Sequence, residues 1–83
     1  MSSEHIIAFV LLGVRPVTRT IPIYRSLKRT RGIVEMHEIT GQYDLMIKLA
    51  ANNLEHLREI LDEIRDKRGV ESLEVSVSYN KVV

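Results

Sequence analysis

Residues 41–44 read Gly-Gln-Tyr-Asp and put an amide, a phenol and a carboxylate side by side between two apolar stretches. A carboxylate in such a place can receive an ammonium group or a backbone N–H. An aspartate that serves only its own turn is the simpler reading. The other candidates are weaker. His5, His37 and His56 fall on separate elements, with no i, i+4 pair and no carboxylate at a ligand spacing, so ordinary surface or hydrogen-bonded histidines are expected rather than a metal site. Ser72, Ser76 and Ser78 share one strand face without the G-x-S-x-G elbow of a hydrolase. Gly13, Gly32, Gly41 and Gly69 each stand at an element end, so they form no phosphate-cradling cluster.

A basic run raises a different possibility. Arg15, Arg19, Arg25, Lys28, Arg29 and Arg31 occur with no acid between Glu4 and Glu35. Nucleic-acid phosphates would suit them. No stacking platform accompanies them, however, because Tyr24 sits on the apolar stripe of its helix. The expected role is a solvated helix face that pairs with the acids Glu55, Glu59, Asp62, Glu63 and Asp66, in the same or a neighbouring subunit. Residues 1–34 carry six basic side chains and one acid, and residues 35–83 carry six and ten, so the halves are +5 and −4.

The elements that must position these groups follow from periodicity. Residues 5–14, HIIAFVLLGV, are apolar at both parities, as in a central strand covered on both faces. Arg15-Pro16 breaks that run. A helix follows, with Thr18 or Thr20 as its cap, Pro22 in its first turn, Ile21, Tyr24 and Leu27 on one stripe, and Gly32 as its stop. Segments 33–40 and 43–51 flank Gly41-Gln42, the Gly-X signature of a two-residue type II′ turn. That register sets Thr40 opposite Tyr43, Met36 opposite Ile47, Val34 opposite Leu49 and Glu35 opposite Lys48. It also puts Tyr43 on the apolar face with Leu45 and Ile47, and Asp44 on the other face, toward a partner subunit. The second helix starts at Asn52 with Glu55 three residues on, buries Leu54, Leu57, Ile60, Leu61 and Ile64, and ends at Gly69. Residues 70–80 alternate cleanly, Leu73, Val75, Val77 and Tyr79 against serines and Glu74.

The order β-α-β-β-α-β gives an α+β, ferredoxin-like sandwich: a four-stranded antiparallel sheet with two helices on one face. Apolar residues on the second face of the first strand, with Met46 and Ala50, imply that a partner's sheet covers it.

The stretch IVEMHEITGQYDLMIKLAANNLEHLREILDEIRDKRGVESLEVSV resembles the effector-binding (RAM) domain of the Lrp/AsnC, or feast/famine, transcriptional regulators. Val34, Thr40-Gly41-x-Tyr43-Asp44, the Leu54/Leu57 helix start and Gly69-Val70 carry the likeness, which covers residues 5–80. The resemblance implies a homodimer with sheets face to face in a dimeric α/β-barrel-like assembly, often built into a ring of dimers. It implies an amino-acid effector at Gly41, Gln42, Tyr43 and Asp44, with backbone N–H groups for its carboxylate and Asp44 for its ammonium. Family members commonly place Thr or Ser at the positions held here by Leu73 and Val75. Only Met1-Ser-Ser-Glu4 precedes the first strand, so residues 1–83 read as a single domain of the stand-alone form. That form is expected to be without the helix-turn-helix and to bind no DNA directly, and full-length relatives are its expected partners.

Composition narrows the alternatives. With no cysteine there is no disulfide, thiolate metal site or Cys nucleophile. No apolar run is long enough to span a bilayer, and Glu4 is not the basic start of a signal peptide, so a cytoplasmic chain without cofactor or membrane partner is expected. A purely structural homo-oligomer is the second reading. A small dimeric α/β-barrel enzyme is the third, although no acid/base pair in matched environments is visible.

Overall fold

The computed structural model describes residues 5–83; residues 1–4, including Glu4, lie outside the described residues. Its elements are strand β1 (Ile6–Val14), helix α1 (Thr20–Leu27), strands β2 (Ile33–Glu38) and β3 (Leu45–Ala51), helix α2 (Leu54–Arg65) and strand β4 (Val70–Ser78). The strands form one antiparallel sheet in the order β2-β3-β1-β4, the expected ferredoxin-like arrangement.

Strand alternation decides what is buried. Ala8, Val10, Leu12 and Val14 of β1 and Leu45, Ile47, Leu49 and Ala51 of β3 turn to one side. There they meet Ile23 and Leu27 of α1 and Leu57, Ile60 and Ile64 of α2. Each fully buried valine, leucine or isoleucine among them contributes about 1.5–3 kcal/mol. The opposite face carries Ile7, Phe9 and Leu11, in register with Ala50, Lys48 and Met46 on one flank and with Ser78, Ser76 and Glu74 on the other. It is half-covered at best.

Several local expectations are corrected. Met36 pairs with Ile47 and Glu35 with Lys48 as expected, but Ile33, not Val34, pairs with Leu49. The register shifts between Ile33 and Glu35, and Val34, 52% exposed, is the extra residue of a bulge. Bulges of this kind are common at sheet edges, where no second neighbour enforces the ladder. On α1 the stripe is Thr20, Ile23 and Leu27, while Ile21 is exposed. Neither Thr18 nor Thr20 caps it: a 3-10 turn at Val17–Arg19 leads in, and the buried Thr20 hydroxyl donates to the Val17 carbonyl at 2.7 Å. The α2 cap is Asn53 rather than Asn52; its Oδ1 accepts from the His56 N–H at 2.8 Å, and His56 Nδ1 accepts from the Asn52 N–H at 2.9 Å. Moving the cap by one residue leaves Leu54 at the first helical position, 72% exposed. Tyr79 lies beyond β4 and is fully exposed.

Candidate ligand site

The connection from β2 to β3 is wider than a two-residue turn. Pairing stops at Glu38 and Leu45, and residues 39–44 form a loop closed by Ile39 N–H donating to the Asp44 carbonyl at 3.1 Å. The even loop length preserves the predicted register of Met36 and Glu35. Strand β1 competes for the end of the loop. Asp44 N–H donates to the Leu12 carbonyl at 2.8 Å, and the Val14 N–H donates to Asp44 Oδ2, also at 2.8 Å. Asp44 thereby satisfies a backbone donor at the end of β1 that the β3 ladder no longer reaches.

These bonds overturn the expected faces of Tyr43 and Asp44. The Tyr43 hydroxyl donates to Glu74 Oε1 at 2.5 Å, and Glu74 lies opposite Leu11 in β1, on the face away from the helices. That bond, with lesser contributions from burial and the Glu74 charge, raises the Tyr43 pKa above its ordinary value. The Asp44 carboxylate does not stand free toward a partner; half-buried, it is engaged by its own chain. Strict alternation fails here because the loop departs from strand geometry after Glu38.

Gly41, Gln42 and Asp44 nevertheless share one cleft of about 670 Å³ with Val14, Arg15, Pro16 and Val17. A neighbouring cleft of about 330 Å³ is lined by Glu38, Ile39, Thr40 and Asp44 against Val17, Thr20 and Ile21. Asp44 and Val17 line both, so the two clefts adjoin where the loop meets the lead into α1. Gly41 adopts φ +118°, with nothing within 4 Å of where a Cβ would stand. Its glycine serves the backbone conformation and leaves room at the cleft mouth. Tyr43 lines neither cleft. Sequence reasoning missed Arg15 and Val17; the signal was the Arg15-Pro16 break, which ends β1 at the same end of the sheet as the loop.

Leu73 and Val75 pair with Leu12 and Val10 and pack against the core. They line neither recess, so hydrophobic packing accounts for both positions.

The basic run is divided. Arg15 Nε lies 3.2 Å from Glu71 Oε1, and Arg19 Nε donates to the Arg68 carbonyl at 3.5 Å. Among the described residues no ion pair joins the cations of residues 25–31 to the acids of α2 within the chain. The intramolecular pairing expected there is absent, because Asp62 pairs with Arg65 on its own helix and Glu63 accepts from the Thr30 hydroxyl. Arg29, Arg31, His56, Glu59 and Glu63 instead line an open cleft of about 370 Å³. On the open sheet face Glu35 lies 3.1 Å from His37 Nε2 and 3.9 Å from Lys48 Nζ. The His37 bond first and the Lys48 charge second hold its carboxyl below the usual range. Among the described residues no group of three His, Asp or Glu side chains converges to hold a metal, and no helix is long and apolar enough to cross a membrane.

A family model described as the Lrp/AsnC ligand binding domain matches residues 7–83. Escherichia coli AsnC superposes with a TM-score of 0.88 at 15% identity, over 98% of this chain and 55% of that one. TTHA0845 from Thermus thermophilus superposes at 0.86 with 25% identity, over 94% of this chain and 98% of that one. A transcriptional regulator from Neisseria meningitidis, NMB0573, solved as its L-Met complex, superposes at 0.79 with 15% identity, over 94% and 52%. Homocitrate synthase of Saccharolobus islandicus is 30% identical over 79 residues, which are 95% of this chain and 17% of the synthase. The chain thus spans a small part of the curated relatives it matches.

Proposed function

Since the chain belongs to the Lrp/AsnC ligand-binding domain family, we propose that it senses a free amino acid or similar small molecule at Gly41, Gln42 and Asp44 and passes that signal on by self-association. The observation that carries this reading is the cleft in which those three residues face the end of β1. It joins apolar walls to a few convergent polar groups, the usual character of a small-molecule site. The L-Met complex of the Neisseria regulator supports an amino acid as the ligand class. Tyr43 is assigned a supporting role, holding the loop to β4 through Glu74.

Self-association uses the open sheet face. Ile7, Phe9, Leu11, Met46 and Ala50 form its apolar centre, ringed by Glu35, His37, Lys48, Glu74 and the β4 serines. An apolar centre with a polar rim is the anatomy of a protein interface. Higher assembly of dimers and association with related regulators, through which transcription would be modulated, complete the reading. Direct DNA binding is not part of it. Nor is catalysis: the homocitrate synthases share only a region the size of this domain, and their activity belongs to proteins far longer than the match.

A thermal-shift screen of the twenty amino acids tests sensing, since a ligand that binds only the folded state stabilises it by mass action. One amino acid should raise Tm saturably. No shift at millimolar ligand, with a stable oligomer by light scattering, would leave the purely structural reading, in which Asp44 serves the Val14 N–H alone.

A further inference from the structure

Resting on the amino-acid reading, we infer that Arg15 is the group that receives the ligand's carboxylate, so that the cleft offers one cation and one anion to a zwitterion. Among the described residues that line the 670 Å³ recess, Arg15 alone carries a cationic side chain and Asp44 alone an anionic one. Their relative placement is built into the backbone. Val14 is bound to the Asp44 carboxylate through its N–H, and the next residue, Arg15, donates its own N–H to the Gly69 carbonyl at 2.8 Å. Two successive residues of β1 and its exit are thereby pinned, and the Arg15 side chain starts from a fixed point beside the anion.

Arg15 is also available. Its present partner is Glu71, and the two side chains are 78% and 63% exposed. An ion pair that open to water is weak and exchanges readily. A guanidinium presents a planar fork that matches a carboxylate with two parallel N–H···O bonds, whereas the turn amides near Gly41 supply single donors. A ligand carboxylate held between Arg15 and the Asp44-bound ammonium therefore replaces Glu71, an exchange of one carboxylate for another at the same guanidinium. Glu71 becomes a competitor that sets the threshold for binding. Gln42 and the apolar Val14, Pro16 and Val17 remain to meet the ligand's side chain.

The test is isothermal titration of wild type, Arg15→Gln, Arg15→Lys and Glu71→Gln. Each is titrated with the amino acid that gives the largest thermal shift and with the corresponding amino alcohol, which keeps the ammonium and lacks the carboxylate. Arg15→Gln should weaken amino-acid binding by about 10- to 100-fold, the range expected for a lost charge-assisted bond, and leave the amino alcohol's affinity unchanged. Arg15→Lys should fall between. Glu71→Gln should tighten the amino acid several-fold and leave the alcohol alone. Equal amino-acid binding by wild type and Arg15→Gln overturns the inference while the sensing reading stands. Loss of both ligands in Arg15→Gln, with native circular dichroism, also overturns it, and an unaltered Glu71→Gln affinity removes the exchange. If wild type binds none of the twenty, both the inference and the reading on which it rests fall.

Discussion

Truncating Asp44 to alanine tests whether this side chain is part of the fold as well as of the cleft. Its carboxylate accepts from the N–H of Val14, a residue only 2% exposed, so truncation removes the protein partner of that donor. An orphaned buried donor costs about 1–3 kcal/mol, and we take about 2 for the alanine variant. Asparagine keeps an acceptor oxygen at nearly the same position and exchanges a charge-assisted bond for a neutral one, a loss of about 1 kcal/mol. For a domain of this size each kcal/mol moves Tm by about 4–8 °C, which gives a fall of about 4–8 °C for Asp44→Asn and about 8–16 °C for Asp44→Ala. Gln42→Ala, at an exposed position of the same loop, serves as the control and should stay within about 0.5 kcal/mol of wild type. The assay is thermal and urea unfolding followed by circular dichroism, at one fixed protein concentration because the proposed self-association would contribute to apparent stability. A Tm for Asp44→Ala equal to that of wild type would refute the clamp. An asparagine variant as unstable as the alanine one would assign the loss to charge and not to the Val14 bond.

Other perturbations probe the remaining parts. Tyr43 has a raised pKa because its hydroxyl donates to Glu74, so its contribution to stability is complete below the ordinary tyrosine value of 10.0 and is lost as pH rises through the higher folded value. Spectrophotometric titration should show a tyrosine that ionises late, and Glu74→Gln should bring it back toward 10.0; an unchanged titration would remove the bond. Glu35 is shifted the other way, so its contribution is present above the usual carboxylate value of 4.5 and disappears as pH falls through the lowered one. Tm measured across the acid range should fall less steeply for Glu35→Gln, and parallel curves would count against the His37 and Lys48 contacts. Asn53→Ala removes the α2 cap and should cost about 1 kcal/mol by urea unfolding, while Asn52→Ala should cost less, since the Asn52 bond to His56 uses its backbone N–H; the reverse order would restore Asn52 as the cap. Leu11→Glu places a charge at the centre of the open sheet face, and sedimentation should show the assembly dissociating; an unaltered oligomer would locate self-association elsewhere.

The sequence made legible whatever depends on period and chain direction. β1 could be recognised as central because it is apolar at both parities, and β3 as a strand because Leu45, Ile47 and Leu49 alternate with Met46 and Lys48. The register of Met36 and Glu35 followed from matching side chains across the hairpin. What was hidden depends on competition between neighbours distant in sequence. Val34 bulges because β2 is an edge strand, a fact of topology rather than of local pattern. The loop opens beyond a tight turn because the Val14 N–H and the Leu12 carbonyl, some 30 positions earlier, draw Asp44 away from the hairpin. Likewise the cap moved from Asn52 to Asn53 because both are asparagines with a plausible partner downstream, and only the path of the chain out of β3 chooses between them. Arg15 escaped notice as a site residue because it was counted within a basic run, while the fold sets it apart from the other cations at the end of β1.

The two demands on Asp44 are compatible, and their compatibility has a thermodynamic consequence. A carboxylate offers about four lone-pair sites on two oxygens, and the Val14 N–H occupies one of them on Oδ2. An ammonium group can take another without displacing the backbone. Ligand and fold then draw on the same anion, and each favours the loop conformation that the other requires. Binding should stabilise the β1 exit and the 39–44 loop together, so hydrogen exchange of the Val14 amide should slow on saturation with the amino acid. Were the ligand instead to pull Asp44 away from β1, the Val14 amide would exchange faster in the complex. That result would make the loop a switch released by the ligand and would overturn the proposed clamp, which the ligand should tighten.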